Sequence, residues 1–139
     1  MAIIYLLICF VIDHFIKLPR FILPPYSYIG IGFFACGILI IYWTWYILKK
    51  THSQISPVEI PNALITYGLF KFSRNPMYLG TALVLIGIVI YFGKIILFLA
   101  PFAYFITTNI FTIPIEERNL ESAFGNKYLQ YKKHVRKWI

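Results

Sequence analysis

Charged residues are scarce in this sequence. Only 13% of the 139 residues are charged and 60% are hydrophobic, and the mean hydropathy is +0.73. A soluble domain averages about 25% charged and roughly 45–50% apolar residues. An apolar excess of this size needs lipid around it, so an ordinary water-soluble globule is excluded. The net charge of +8 fits basic loops beside anionic headgroups, and we expect membrane lipids rather than nucleic acid as partners.

Cysteine and recognisable catalytic signatures are equally sparse. Cys9 and Cys36 lie in apolar runs without CxxC or Cys/His spacing, and His52 and His134 have no partner at metal-ligand spacing. The sequence therefore predicts no disulfide framework and no metal site. The HExxH, P-loop, GxSxG and Rossmann patterns do not occur either, and no covalent nucleophile is evident.

Long apolar runs, in contrast, are abundant. A membrane-spanning helix needs roughly 17–25 mostly apolar residues, and the chain offers four candidates. The second ends in aromatic residues and then Lys49-Lys50, as at a membrane interface, and only Gly93-Lys94 separates the last two, which predicts a tight hairpin. We therefore expect an all-α integral membrane protein, one domain over residues 1–139 with about four transmembrane helices. The spans cover about residues 1–16, 28–48, 76–92 and 95–113.

The remaining segments are polar. Residues 49–75 form a connection, and residues 114–139 form a charged tail whose apolar residues recur at helical spacing. That spacing predicts a C-terminal amphipathic helix lying at the interface. Residues 1–16 have no basic n-region and no small-residue cleavage site, so we expect a retained helix rather than a signal peptide. Its Asp13 and His14 are expected at the membrane boundary.

Lysine and arginine are distributed unevenly about the predicted spans. The connection carries four and the tail six, so ten lie on one side of the membrane. Three, Lys17, Arg20 and Lys94, lie on the other. The positive-inside rule places the richer side in the cytosol.

The turn before the third span is the first candidate site. Proline disfavours the helical conformation in the residue before it and fits the first helical position, so a helix should begin at Pro76 with Asn75 as its N-cap. A helix N-terminus attracts anions, and Arg74 adds a full positive charge. The alternative is that Asn75-Pro76 only starts the helix and that Arg74 is a topology charge.

Two adjacent carboxylates, Glu116 and Glu117, form the second candidate site. Acids at a membrane boundary are costly unless they are solvated or paired. On a helix they point about 100° apart, so we expect one to face a pocket and the other to face solvent or a base. The alternative is that acids after Pro114 only stabilise the first turn of a helix through its dipole. Gly80 and Gly87 share one helical face and predict close helix packing.

The order of these motifs is more specific than any one of them. The order is Leu64-Ile65, Gly68-Leu69-Phe70, the segment SRNPMYLG at 73–80, a hairpin, Glu116-Glu117-Arg118-Asn119-Leu120, Phe124-Gly125, Tyr128 and Tyr131. It resembles the isoprenylcysteine carboxyl methyltransferase and phospholipid methyltransferase superfamily, over about Asn62 to Trp138. It is most similar to the short bacterial members, which implies a bacterial inner membrane. The distribution of basic residues places the matched motifs, and with them the active site, on the cytosolic side.

The resemblance implies a membrane methyltransferase that uses S-adenosylmethionine. The acceptor is expected to be lipid-like or a small hydrophobic molecule, methylated on an amine, a thiol or a carboxylate. No catalytic acid or base is identified. The resemblance and the charges described above imply cofactor contacts from Asn62, Ala63, Leu64, Ile65, Phe70, Arg74, Asn75, Pro76, Met77, Tyr78, Glu116 and Glu117.

Two positions depart from the eukaryotic members of that superfamily. Asn75 stands where they have histidine, and an amide does not titrate, so proton transfer at this position is excluded. Thr112 falls where the prenylcysteine enzymes have a substrate-contacting arginine. A carboxylate acceptor therefore has less to hold it.

Two other functions fit parts of the pattern. Sterol-type reductases that use NADPH share a similar C-terminal pattern, but they are much longer, and no additional basic cluster here suits a 2′-phosphate. A non-enzymatic four-span protein, such as a small multidrug transporter, needs an acidic residue deep within a span. Only Asp13 approaches that position.

Overall fold

The computed structural model describes residues 1–51 and 63–139. Within them the regular structure is helical, with one isolated bridge between Arg20 and Lys94 and no β-strand, which confirms the all-α class. The α-helices of these residues are α1 (Ala2–Ile16), α2 (Ile29–Lys50), α3 (Pro76–Phe92), α4 (Leu99–Thr107), α5 (Ile113–Phe124) and α6 (Asn126–His134). Short 3₁₀ turns lie at Tyr26–Tyr28, Gly68–Lys71 and Ile95–Phe98.

In the described part of the chain, two helices are long and apolar enough to cross a membrane. They are Tyr26–Lys50, with a mean hydropathy of 1.9, and Ile95–Phe124, with a mean hydropathy of 1.8. The apolar helices α1 and α3 have 15 and 17 residues, at or below the lower limit of about 17 for a span. Four transmembrane helices therefore stay a prediction. Large apolar side chains are exposed along α2, with Leu39 at 68%, as on a surface that meets lipid.

The helix that starts at Ile95 continues well past the predicted end of the fourth span. It passes through α4, a π-helical turn at Thr108–Thr112 and α5 before it ends at Phe124. Pro114 does not break it, since widened π-helical turns re-satisfy backbone groups near proline. The predicted tail helix over 114–139 is instead two helices, divided at Gly125, whose φ of 50° favours glycine.

Contacts group the described residues into two compact units, and the first comprises Met1–Leu39 and Gly80–Thr107. Its core joins α1, α3 and the start of the Ile95 helix through Cys9, Val89, Leu97 and Ala100. Val89, Leu97 and Ala100 have no exposed surface. Partly buried Tyr5, Leu6, Phe10, Phe92 and Ile96 surround them.

In this unit, glycine residues allow the backbones of α2 and α3 to contact each other directly. A Cβ added at Gly87 would lie 2.5 Å from the Phe34 nitrogen and 2.6 Å from the Gly30 oxygen. A Cβ at Gly37 would lie 2.6 Å from the Gly80 oxygen. The close packing predicted for the Gly80 and Gly87 face is confirmed.

An ion pair between Asp13 and Lys94 joins the end of α1 to the turn after α3. Asp13 is buried while His14 is exposed. In the same turn, the Gly93 carbonyl accepts hydrogen bonds from the Phe21 and Ile22 N–H groups, at 2.6 and 3.1 Å. The acid expected at the membrane boundary is therefore neutralised by a base from the predicted hairpin.

The second unit comprises Ile40–Leu79 and Thr108–Ile139, of which 52–62 lie outside the described residues. It contains the end of α2, the Gly68–Lys71 turn, the start of α3, and helices α5 and α6. The second unit holds both candidate sites named from the sequence.

We expect Gly87→Ala to lower the stability of the folded protein. Its methyl group would meet backbone atoms of α2 within 2.6 Å, and these cannot yield unless the helix moves. Overpacking of this kind costs about 1–3 kcal/mol. Thermal unfolding of the detergent-purified protein measures the loss.

Gly32→Ala is the matched control on α2, because its added Cβ meets nothing within 4 Å. Alanine is a better helix former than glycine, so the melting temperature should hold or rise. Equal melting temperatures for the two variants would contradict the close crossing of α2 and α3.

Candidate active site

A narrow cleft in the second unit gathers most of the predicted site residues. We call it the Glu116 cleft, and its volume is about 50 Å³. It lies where the end of α2, the turn after Gly68–Lys71, the start of α3 and the first turn of α5 meet. Its lining residues are Thr44, Leu48, Phe70, Arg74, Asn75, Pro76, Met77, Tyr78 and Glu116.

Local turn chemistry shapes the entrance to α3. Gly68 adopts a φ of 65° at the start of its 3₁₀ turn, and a Cβ there would lie 2.7 Å from the Ile47 Cδ1 atom. The Phe70 carbonyl accepts a hydrogen bond of 2.7 Å from the Tyr131 hydroxyl. Burial raises the pKa of Tyr131, so this hydroxyl keeps the proton that it donates. Helix α6 therefore anchors the turn that carries Phe70.

Asn75 sits directly before α3, as the sequence predicts, and an N-cap role for its side chain stays a prediction. Its backbone N–H donates to Ser73 Oγ at 3.1 Å, and its carbonyl accepts from the Leu79 N–H at 3.1 Å. Its Nδ2 donates to the Lys137 carbonyl at 2.9 Å. The side chain thus ties the start of α3 to the segment that follows α6.

Arg74 and Glu117 form a buried ion pair. Arg74 Nη1 lies 2.8 Å from Glu117 Oε1, and the two side chains are 11% and 14% exposed. Lys132 Nζ lies 2.9 Å from Glu117 Oε2 and 2.6 Å from Glu121 Oε1. Glu121 first, and then Glu117, raises the pKa of Lys132. The charges alternate along this network, so each carboxylate oxygen of Glu117 lies within ion-pair distance of a base.

Glu116 points the other way, into the cleft. The Tyr78 hydroxyl hydrogen-bonds its carboxylate, and its Oε2 atom is buried without a hydrogen-bond partner among the described residues. The two carboxylates therefore point in different directions, as the spacing of about 100° predicts. Glu116 faces a pocket, and Glu117 faces basic side chains. A buried acceptor left open in this way costs free energy unless a ligand satisfies it.

Seven of the twelve residues predicted to contact a cofactor line the Glu116 cleft. An eighth, Glu117, touches it only through Arg74. Ala63, Leu64 and Ile65 are described but do not line the cleft, and Asn62 lies outside the described residues. The seven are Phe70, Arg74, Asn75, Pro76, Met77, Tyr78 and Glu116.

The cleft also contains residues that the sequence did not single out. Thr44 and Leu48 come from α2, and Thr44 has no exposed surface and donates to the Ile40 carbonyl at 2.8 Å. A hydroxyl inside an apolar helix was the only signal for Thr44, and Leu48 gave none. Lys137 was counted only as a topology charge, although its carbonyl holds the Asn75 amide.

The chemistry of the cleft favours a cationic ligand with hydrogen-bond donors. Glu116 supplies an open carboxylate oxygen, while the Arg74 charge is matched by Glu117. Phe70 and Tyr78 contribute aromatic rings, whose faces attract cations. The surrounding apolar residues lower the local dielectric, which strengthens such contacts.

Comparison with known proteins identifies one family. Residues 26–127 match the model of the family described as Phospholipid methyltransferase. A Haemophilus influenzae protein described as uncharacterized is 36% identical over 63 residues, which are all of that protein and 45% of this chain. No solved structure matches the chain.

We expect Glu117→Gln to destabilise the second unit by about 2 kcal/mol. The substitution leaves the Arg74 guanidinium buried beside a neutral amide, and an unpaired buried charge is costly. Denaturant or thermal unfolding in detergent measures the loss.

Glu121→Gln is the matched control, because it removes a carboxylate from the same helix and the same network at a side chain that is 38% exposed. An exposed pair contributes only about 0–1 kcal/mol. If both variants lose the same stability, the buried pair does not hold the site together.

Proposed function

Because the chain belongs to the phospholipid methyltransferase family, we propose that it is a membrane methyltransferase that transfers a methyl group from S-adenosylmethionine to a lipid-like acceptor. The observation that carries the proposal is the open, buried carboxylate oxygen of Glu116 beside Tyr78 and Asn75. The bound cofactor supplies the methyl group, on a positively charged sulfonium.

The residues of the Glu116 cleft fit the chemistry of that cofactor. Glu116 suits its ammonium group or its ribose hydroxyls, both of which donate hydrogen bonds. The rings of Tyr78 and Phe70 suit the sulfonium. The sequence predicts that Arg74 attracts an anionic group of the cofactor, but its charge is already matched by Glu117. We therefore propose that the cleft receives the cationic part of the cofactor.

The size of the cleft limits how much of the cofactor it encloses. Its volume of about 50 Å³ is well below the roughly 300 Å³ at the lower end of small-molecule pockets. The described residues thus surround one end of the molecule. The remainder extends beyond the Glu116 cleft.

This family membership favours transfer of a methyl group over reduction with NADPH. The reaction needs the donor sulfur, the methyl carbon and the acceptor atom in line, with water excluded. The apolar walls formed by Leu48, Phe70 and Met77 serve that exclusion. Asn75 does not titrate, so the proton of an amine or thiol acceptor leaves by another group.

We further propose that the cleft faces the cytosol of a bacterial cell and that the acceptor enters from the bilayer. Ten of the thirteen basic residues lie on the predicted side that carries the cleft, and basic loops face the cytosol. S-adenosylmethionine is made there. Exposed apolar side chains on α2, such as Leu39 and Tyr42, suit a lipid-facing approach.

We expect the purified protein in nanodiscs to bind S-adenosylmethionine, and Glu116→Gln and Tyr78→Ala to weaken binding at least tenfold, or about 1.4 kcal/mol. The first change removes the charge that meets the cofactor, and the second removes an aromatic ring and the hydroxyl on Glu116. Isothermal titration calorimetry measures both affinities. Glu121→Gln, on the same helix but outside the cleft, should bind as wild type does. Folded wild-type protein that does not bind S-adenosylmethionine, or that binds NADPH tightly instead, would contradict the proposal.

We expect a methyl-labelled cofactor to pass its label to a lipid when it is incubated with the protein and a total lipid extract. Chromatography and mass spectrometry then identify the labelled product, and with it the methylated nitrogen, sulfur or oxygen. Glu116→Gln serves as the low-activity control. Cofactor binding without label in any lipid would show that the acceptor is not a lipid.

A further inference from the structure

Residues 136–138 follow α6 and return to the start of α3. The Arg136 carbonyl accepts a hydrogen bond of 3.0 Å from the Arg74 N–H, and the Lys137 carbonyl accepts one of 2.9 Å from Asn75 Nδ2. Ser73 Oγ lies 3.5 Å from the same Lys137 oxygen. Two successive carbonyl groups therefore accept hydrogen bonds from Arg74 and Asn75, in the turn that borders the Glu116 cleft.

The same segment is fixed at its other end to the π-helical turn. Trp138 Nε1 donates to Asn109 Oδ1 at 3.1 Å, and Lys137 Nζ lies 3.4 Å from that oxygen. Asn109 belongs to the π-helical turn Thr108–Thr112. Such turns are rare and are frequently found at functional sites. One amide oxygen thus contacts the side chains of two neighbouring residues, and the carbonyl of one of them, Lys137, accepts a hydrogen bond from Asn75.

These contacts decide which atom of Asn75 a ligand meets. A carbonyl oxygen only accepts hydrogen bonds, so the Asn75 atom facing Lys137 is the NH₂ group. The Asn75 Oδ1 atom remains as the acceptor on a residue that lines the cleft. The open Glu116 oxygen is a second acceptor on a residue that lines the same cleft.

We propose that Asn109 and residues 136–138 form a latch that sets the orientation of the Asn75 amide, so that Asn109 and Trp138 are positioning residues for cofactor binding. The inference rests on the proposed function, because it assumes that the Glu116 cleft holds the cofactor. Neither residue touches the cofactor. They act through the Lys137 carbonyl, which keeps the Asn75 oxygen directed at donor groups of the ligand.

The test compares variants that remove or retain the latch contact. Asn109→Leu removes the acceptor oxygen at nearly constant size, and Trp138→Phe removes the indole N–H donor together with part of the ring. Each should weaken S-adenosylmethionine binding about threefold to tenfold, the range for one lost hydrogen bond. Asn109→Asp keeps an acceptor oxygen for Trp138 and Lys137, so its affinity should stay within about twofold of wild type. Titration calorimetry in nanodiscs measures the dissociation constants.

Two controls separate positioning from a general loss of structure. Trp45→Phe removes an indole N–H on α2, where Lys49 Nζ lies 4.8 Å from the centre of the ring. This variant should bind S-adenosylmethionine with the wild-type affinity. Hydrogen exchange at the Arg74 amide, which donates to Arg136, should quicken in Asn109→Leu and not in Asn109→Asp. Should Asn109→Leu not fold, Trp138→Phe carries the test.

The outcomes distinguish the latch from the function on which it depends. Wild type that binds the cofactor, with Asn109→Leu and Trp138→Phe binding equally well, overturns the latch and leaves the function standing. Asn109→Asp that loses as much affinity as Asn109→Leu also overturns it, because the acceptor oxygen is then not the cause. Wild type that binds no cofactor overturns both.

Discussion

The ion pair between Arg74 and Glu117 is the contact on which the candidate site depends. The two side chains are only 11% and 14% exposed, and Arg74 Nε has no hydrogen-bond partner among the described residues. Removal of either partner would leave the other charge unpaired in surroundings of low dielectric constant. The pair therefore holds the turn before α3 against α5, and Lys132 extends it to α6.

Because Glu117 neutralises the charge of Arg74, the charge that a ligand meets in the cleft is that of Glu116. Glu116 is adjacent in sequence to Glu117, yet its environment is opposite, because the helix turns it about 100° away from the bases. One carboxylate stabilises structure while the other remains open to a ligand. The aromatic rings of Phe70 and Tyr78 add to the same preference for a cationic group.

Residues 136–138 connect this chemistry to the π-helical turn at Thr108–Thr112. Their carbonyl groups accept hydrogen bonds from the Arg74 backbone N–H and from Asn75 Nδ2, and the side chains of Lys137 and Trp138 reach Asn109. Buried polar groups need such partners, and here the partners come from more than sixty residues away in the chain. The cleft is thus assembled from segments that local sequence rules treat separately.

Sequence alone determined the helical class, the start of α3 at Pro76, the close face of Gly80 and Gly87, and seven of the residues that line the cleft. These follow from local rules: apolar run length, the restriction that proline places on its neighbours, and helical periodicity. Only the tertiary structure decided that Arg74 binds Glu117, that Asn75 donates to Lys137 and that Asn109 holds Trp138. The physical reason is that a polar side chain's partner depends on which distant segment is packed against it, and no local pattern specifies that contact.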